Sequence, residues 1–172
     1  MEKKYKLLFV CLGNICRSPA AQTVMSRAVE KAGLGDRIEC DSAGTYGGHA
    51  GEKADARMRR AAARRGYDIT HISRPVRSSD FDDADMIIAM DDNNYHTLYR
   101  LAPSIEAGDK ICRMTDFCRK YAESRYVPDP YYEGAEGFEI VLDMLEDACE
   151  GLLDYLKKEV VGHGCPPPSR IL

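Results

Sequence analysis

A cysteine and an arginine with five residues between them stand near the start of the chain, in the segment C-L-G-N-I-C-R at positions 11–17. A loop of this length can curl around a tetrahedral oxyanion, with the thiol of Cys11 beneath the phosphorus and the guanidinium of Arg17 on two of its oxygens. Gly13 allows close backbone approach, and successive backbone N–H groups would supply further donors. The spacing therefore predicts a phosphate-binding loop that contains a nucleophilic cysteine.

The residues on either side predict how this loop is held. Positions 6–11, K-L-L-F-V-C, form the short apolar run that is typical of a strand buried on both faces. Ser18 and Pro19 then predict the start of a helix that continues through 20–31, with Ser18 as its cap. The positive end of this helix would face the anion and stabilise a thiolate on Cys11. The segment lacks the Gly-Lys-Ser/Thr of a Walker nucleotide-binding loop, and the chain has no second pair of ligands at the spacing of a zinc site. We therefore expect no metal and no cofactor.

Strands and helices alternate along the rest of the chain. Short apolar runs predict strands at 37–42, 84–90 and 110–114, and helix-forming segments occupy 54–65 and 91–101. In the last helix, Phe138, Val141, Leu142, Leu145, Cys149, Leu152 and Leu156 share one face, while acidic residues, Asp147 among them, lie mostly elsewhere. This order predicts an α/β fold with a parallel sheet, helices on both faces, and a ligand site at the carboxyl ends of the strands.

Composition limits the class of protein. The chain has 172 residues and 24 basic against 28 acidic side chains, a net charge of −4, which does not favour a general nucleic-acid binder. We expect one domain over 1–161 and a Pro-rich tail over 162–172. No signal peptide or membrane span is apparent, and seven cysteines without a C-x-x-C pair suit a reducing compartment, so we predict a cytoplasmic monomer. The arginines between positions 57 and 65 are interpreted as the solvated face of a helix.

The segment C-L-G-N-I-C-R-S-P at 11–19 closely resembles the signature of the low-molecular-weight protein tyrosine phosphatase family. The resemblance extends to D-S-A-G-T at 41–45, to His71 before Arg74, to M-D-D-N-N at 90–94 and to P-D-P-Y-Y at 128–132, and so covers nearly the whole chain. It implies a flavodoxin-like, three-layer fold with a four-stranded parallel sheet. It also implies that the enzyme hydrolyses phosphotyrosine in proteins, or aryl phosphates, through a cysteinyl-phosphate, and that phosphate and other oxyanions inhibit it.

The family pattern also implies roles for single residues. Cys11, Arg17 and Asp129 would be catalytic, with Asp129 as general acid, although the residues alone could not single it out among 28 acidic side chains. The other loop positions would bind phosphate: Leu12, Gly13, Asn14, Ile15, Cys16 and Ser18. Ser42 and His71 would support the loop together with Asn14, and Tyr46, Tyr131 and Tyr132 would form the pocket wall. The resemblance further implies that Ser18 donates to the Cys11 thiolate and that Cys16 forms a protective disulfide with Cys11 under oxidation.

One departure from the family and three alternative functions remain open. Family members usually carry a large aromatic residue near the position of Gly48, where Tyr46 is the nearby ring, so the pocket wall is expected to be displaced or more open. A protein arginine phosphatase of the same family usually has a small hydroxylated residue where this chain has Ile15. An arsenate reductase would need a redox cysteine pair after the third strand, and Cys112 and Cys118 lie too far along. A non-catalytic phosphate-binding or nucleic-acid-binding module would not need both Cys11 and Asp129.

Overall fold

The computed structural model describes residues 3–161, and the Pro-rich tail predicted at 162–172 lies outside these residues. A four-stranded parallel sheet forms the centre of the described part, in the order β2-β1-β3-β4. Its strands are β1 (Tyr5–Cys11), β2 (Ile38–Gly44), β3 (Met86–Ala89) and β4 (Ile111–Arg113). The predicted α/β fold is confirmed, because every predicted strand is present and pairs in parallel.

Six α-helices connect and cover these strands within the described range: α1 (Arg17–Lys31), α2 (Ala56–Ala63), α3 (Asp80–Asp83), α4 (Asp92–Leu101), α5 (Ile105–Asp109) and α6 (Ala135–Leu156). A 3-10 turn, Met114–Phe117, follows β4, and a π-helical turn, Lys157–Val161, continues α6. Sequence periodicity missed α3, α5 and the 3-10 turn, because segments of four or five residues are too short to show a helical repeat. None of these helices is both long and apolar enough to cross a membrane.

Alternate residues of β1 face two separate layers of the core. Leu7 and Phe9 pack with the apolar faces of α1 and α6, whereas Leu8 and Val10 pack with residues of α3, α4 and α5 on the opposite face. All four side chains are fully buried, as expected for a central strand covered on both faces. Because β1 lies between β2 and β3, its carboxyl end is the point where the chain crosses from one side of the sheet to the other, which is where ligands bind in such sheets.

The start of α1 differs from the prediction. The helix begins at Arg17, its N-cap is Cys16 without a side-chain cap, and Ser18 lies inside the first turn. The prediction of Ser18 as the cap was wrong because its hydroxyl contacts Cys11 and Asn14 instead. Pro19 fits this first turn because a proline there loses no intrahelical N–H bond.

The structure confirms the predicted apolar face of the last helix, and it also shows contacts of the helix's acidic residues that the sequence did not predict. All seven predicted apolar positions of α6 are buried. Asp147 is also buried, and its carboxylate accepts backbone N–H bonds at 3.0, 3.0 and 3.1 Å from the turn at 119–121. Arg65 forms ion pairs with Glu139 and Asp143 of α6, so interpreting the whole 57–65 arginine cluster as a solvated face was wrong. Hydrophobic periodicity cannot reveal such pairs, because the partners lie far apart in the chain.

Candidate active site

The phosphate-binding loop predicted at 11–18 joins the end of β1 to the start of α1. Cys11 is 2% exposed, and its Sγ lies 3.0 Å from the hydroxyl oxygen of Ser18. Asn14 Nδ2 donates to the same hydroxyl oxygen at 2.7 Å, so the Ser18 proton can point toward the sulfur at 3.0 Å or toward the more distant Ala43 carbonyl at 3.5 Å. The contact therefore allows Ser18 to donate a hydrogen bond to a thiolate on Cys11.

The backbone carbonyls of the loop are bonded away from its centre. Four of them accept hydrogen bonds from neighbouring segments: Cys11 from Thr45 N–H (3.0 Å), Leu12 from Tyr46 N–H (2.8 Å), Gly13 from the Ser73 hydroxyl (2.9 Å) and Ile15 from Asp55 N–H (2.8 Å). Within residues 3–161, the backbone N–H groups of positions 12–16 donate to no protein acceptor. A loop that turns its carbonyls outward and keeps its N–H groups free is suited to bind an anion.

Asn14 holds the loop in this shape from within. Its φ is 57°, the left-handed conformation in which asparagine is tolerated better than most residues, and its side chain is 1% exposed. Nδ2 donates to Ser42 at 3.0 Å as well as to Ser18, and Oδ1 accepts from the backbone N–H of Arg74 at 3.1 Å. His71 Nε2 lies 2.9 Å from the same oxygen. Every hydrogen-bonding site of the amide is thus used.

Ser42 and His71 lie in the supporting positions predicted for them. The Ser42 hydroxyl accepts from Asn14 and donates to Gln22 Oε1 at 2.6 Å. Burial lowers the pKa of His71, and this effect exceeds the opposing one of Asp41. A neutral imidazole is therefore favoured at pH 7, and its Nε2–H can donate to Asn14.

Gly44, at the end of β2, allows the loop to pack against the sheet. A Cβ at this position would lie 2.7 Å from the carbonyl oxygen of Leu12 and 3.1 Å from the backbone nitrogen of Asn14. Real Cβ atoms do not approach backbone this closely, so any side chain here would displace the loop. The predicted site did not include Gly44, although the glycine at the end of the second strand was visible in the sequence.

The guanidinium of Arg17 lies between two acidic loops. Nη1 donates to Asp91 Oδ2 at 2.7 Å and to the carbonyl oxygen of Val127 at 3.0 Å, and Nη2 lies 3.5 Å from Asp129 Oδ2. Arg17 is 2% exposed. Burial lowers its pKa, but Cys11, Asp91 and Asp129 raise it by more, so the net shift is upward and the group stays charged. Sequence reasoning assigned no role to Asp91, although it lies in the M-D-D-N-N segment at 90–94 that carries the family resemblance; in the structure it is the N-cap of α4.

Asp129 reaches the site from a different part of the chain than the loop. Its side chain is 42% exposed, and Oδ1 accepts the backbone N–H of Tyr131 at 3.1 Å. The carboxyl thus lies at the solvent side of the site, while Cys11 lies at its buried end. A cavity of about 300 Å³ includes both groups.

The cavity brings together most of the predicted site. Its lining comprises Cys11, Leu12, Gly13, Ile15, Cys16, Arg17, Tyr46, His49, Asp129, Tyr131 and Tyr132. The buried positions Asn14 and Ser18 and the supporting residues Ser42 and His71 lie behind this lining. His49 was not predicted as part of the wall, although it lies in the loop after β2, next to Gly48, where the sequence departs from the family pattern.

Comparisons with known proteins assign the chain to a family. The model of the family described as "Low molecular weight phosphotyrosine protein phosphatase" matches residues 6–162. The chain belongs to the low molecular weight phosphotyrosine protein phosphatase family.

A low molecular weight protein-tyrosine-phosphatase of Streptomyces coelicolor is 43% identical over 92% of this chain and 97% of the relative. A crystal structure of a protein tyrosine phosphatase from Entamoeba histolytica, with Hepes in its active site, is 50% identical, with a TM-score of 0.87 over 90% of this chain and 98% of that one. The predicted family, fold and enzyme class are confirmed.

In the wall of the catalytic cavity, the side chain of Tyr46 lies against Gly48. A Cβ at Gly48 would lie 2.2 Å from three atoms of the Tyr46 side chain, so the ring of Tyr46 occupies the space next to the glycine. His49 continues the wall, with its ring centroid 6.2 Å from those of Tyr46 and Tyr131. Tyr46 therefore supplies an aromatic surface near the position where family members usually carry a large aromatic residue.

The second cysteine of the loop, Cys16, is a buried thiol. Cys16 is 4% exposed, and burial, with Asp55 and Cys11 adding to it, raises the pKa of its thiol well above the usual range. Cys16 is thus a neutral thiol at pH 7, and both Cys11 and Cys16 are free in the structure. Their disulfide stays a prediction. Among the described residues, no three His, Cys, Asp or Glu side chains are arranged to hold a metal ion.

Proposed function

We propose that the cavity is the catalytic site and that it hydrolyses the phosphate ester of phosphotyrosine in proteins. The observation that carries this proposal is the arrangement around Arg17. Its buried guanidinium is held by Asp91 at 2.7 Å and approaches Asp129 at 3.5 Å, in the same cavity as Cys11. A thiol, a fixed cation and an exposed carboxyl around one anion-sized space are the groups that phosphoryl transfer from an aryl ester requires.

In the first step, the Cys11 thiolate attacks phosphorus in line with the bond to the aryl oxygen. The S–P bond forms as the P–O bond breaks, and Asp129 gives its proton to the leaving phenolate. Arg17 and the free N–H groups of positions 12–16 bind the equatorial oxygens of the transferring phosphoryl group. The products of this step are the phenol and a cysteinyl-phosphate.

In the second step, water attacks the cysteinyl-phosphate. The Asp129 carboxylate accepts the proton of the water as its O–P bond forms, and the S–P bond breaks to release inorganic phosphate. The Ser18 hydroxyl, 3.0 Å from the sulfur, donates to the departing thiolate and makes it a better leaving group. Asp129 is then protonated again, and Cys11 is ready for another turnover.

The walls of the cavity support an aromatic substrate. Tyr46, Tyr131 and Tyr132 line the opening, and Ile15 adds an apolar surface near the loop. These groups can pack against the ring of phosphotyrosine, whereas a phosphoarginine guanidinium would need polar partners. Ile15 lies where a protein arginine phosphatase of the family usually has a small hydroxylated residue, so this position favours phosphotyrosine over phosphoarginine.

Steady-state assays with phenyl phosphate and p-nitrophenyl phosphate test these roles. Cys11→Ser should abolish turnover, with Cys40→Ser as the matched control. Asp129→Asn should lower kcat/KM, which reports the first step, for phenyl phosphate by roughly 10²–10⁴, and less for the nitrophenyl ester, whose leaving group needs less help from an acid. The exposed Asp36→Asn variant is its control. Full activity of Cys11→Ser would contradict the assignment of Cys11 as the nucleophile. Equal losses of kcat/KM on both esters would contradict the assignment of Asp129 as the general acid. Faster hydrolysis of a phosphoarginine peptide than of a phosphotyrosine peptide would favour the alternative.

A further inference from the structure

A second cavity, of about 460 Å³, lies beside α2. Its lining combines three cations with one acidic and several apolar or aromatic groups: Lys53, Arg59, Arg60, Ala63, Tyr67, Asp68, Ile69, Thr70 and Ile72. We call this surface the basic groove. Three cations against one carboxylate form a local positive surface on a protein whose net charge is −4.

The cations of the groove have no carboxylate partner among the residues that the structure describes. Within residues 3–161, Lys53 and Arg60 form no ion pair with any carboxylate, and both are exposed. Arg59 donates its Nε to the carbonyl of Ala54 at 2.9 Å, which leaves its terminal nitrogens available. Neighbouring arginines behave differently: Arg57 pairs with a carboxylate at 2.9 Å, and so do Arg64 and Arg65 on the α6 side. Three cations without a carboxylate partner among the described residues therefore line the groove together.

The backbone connects the groove to the active site. His49 lines the catalytic cavity and Lys53 lines the groove, and their Cα atoms are at most about 14 Å apart because the two residues are four positions apart in the chain. The segment between them is anchored by two backbone bonds: Gly51 N–H donates to the Ser73 carbonyl at 2.9 Å, and Ser73 N–H donates to the Glu52 carbonyl at 2.8 Å. The Ser73 hydroxyl in turn donates to the carbonyl of Gly13. A peptide whose phosphotyrosine enters the cavity can thus reach the groove within about four residues.

We propose that the basic groove binds acidic residues that flank the phosphotyrosine of a protein substrate. This proposal rests on the proposed function of the neighbouring site. Exposed cations without partners attract carboxylates, and the exposed side chain of Ile72 offers apolar contact for the stems of Glu residues. The groove would therefore select among phosphotyrosine sites by their sequence, while the catalytic cavity recognises the phosphorylated ring.

Two phosphotyrosine peptides of equal length test the proposal. One carries Glu at positions two to four on both sides of the phosphotyrosine, and the other carries Gln there. Three exposed ion pairs, each contributing a factor of roughly 2–3, should give the Glu peptide an advantage of about tenfold in kcat/KM at low salt. The advantage should shrink at high salt, because screening weakens exposed pairs.

The triple variant Lys53→Gln, Arg59→Gln, Arg60→Gln should lose most of this advantage and keep its kcat/KM for p-nitrophenyl phosphate. The control variant Lys4→Gln, Lys31→Gln, Arg37→Gln makes the same change in charge near the amino ends of the strands and should retain the advantage.

Three outcomes would overturn the proposal. If both peptides are hydrolysed at equal rates, the groove has no such role, although the proposed phosphatase function stands. If the control variant loses the advantage as much as the groove variant, the effect comes from net charge. If a labelled single-stranded oligonucleotide binds the wild-type chain and not the groove variant, with no peptide preference, the groove belongs to nucleic acid. Absence of hydrolysis of every phosphotyrosine and aryl phosphate substrate would refute the proposed function itself.

Discussion

Replacement of Asn14 tests how the phosphate-binding loop keeps its shape. The side chain is 1% exposed, four groups bond to it, and its backbone is left-handed with φ 57°. Asn14→Gly removes the bonds and the Cβ that this φ strains, whereas Asn14→Ala removes the bonds and keeps a Cβ in the left-handed region, which alanine tolerates less well than asparagine. The pair of variants therefore separates the contribution of the network from that of the backbone.

The expected magnitudes follow from these contacts. Four buried hydrogen bonds at about 1 kcal/mol each predict that Asn14→Gly lowers the free energy of unfolding by about 3–4 kcal/mol. Asn14→Ala should lose about 1 kcal/mol more, the cost of a left-handed alanine. Because the same bonds hold the phosphate-binding loop in its shape, both variants should also show reduced kcat/KM for p-nitrophenyl phosphate.

Urea denaturation at pH 7 measures the first quantity, and steady-state kinetics at the same pH measure the second. Asn93→Ala, at an exposed position of α4, is the matched control and should change neither. Equal stability of the glycine and alanine variants would refute the argument from φ. A loss below 1 kcal/mol in both would refute the argument from the buried network.

Three further predictions concern the surroundings of the site. Arg57 lies 5.3 Å from the ring centroid of Tyr131, so Arg57→Ala should raise KM for aryl phosphates about two- to fivefold with little change in kcat, and Arg57→Lys should restore part of the loss. Gly44→Ala should lower kcat/KM at least tenfold in the same assay, because its Cβ would lie 2.7 Å from a loop carbonyl, whereas Gly35→Ala, with nothing within 4 Å, should be neutral. Burial lowers the pKa of His71 in the folded state, so as the pH falls the unfolded chain takes up a proton on this imidazole before the folded chain does. The free energy of unfolding should therefore keep this contribution above about pH 6.5 and lose it progressively at lower pH. Chemical denaturation of His71→Gln should show a smaller decrease over the same pH range.

Local sequence was sufficient for the elements that a short window defines. The apolar run of β1, the loop from Cys11 to Arg17 and the periodic face of α6 each depend on residues within one strand, one turn or one helix. The family resemblance added Asp129, which no local pattern distinguishes from the other acidic residues. The prediction that failed at Ser18 was also local, and it failed because a partner outside the helix, Cys11, competes for the hydroxyl.

The sequence by itself determined the family, the order of the four strands and the longer helices along the chain, and the candidate loop from Cys11 to Arg17, because those depend on residue type and spacing. Tertiary structure decided which distant groups meet. It placed Asp91 and the Val127 carbonyl on Arg17, folded Tyr46 beside Gly48, and left the cations of the basic groove unpaired while Arg65 bonds to α6. The physical reason is that hydrogen bonds and ion pairs depend on distances between atoms, which the packing of separate elements sets and the spacing of residues along the chain does not.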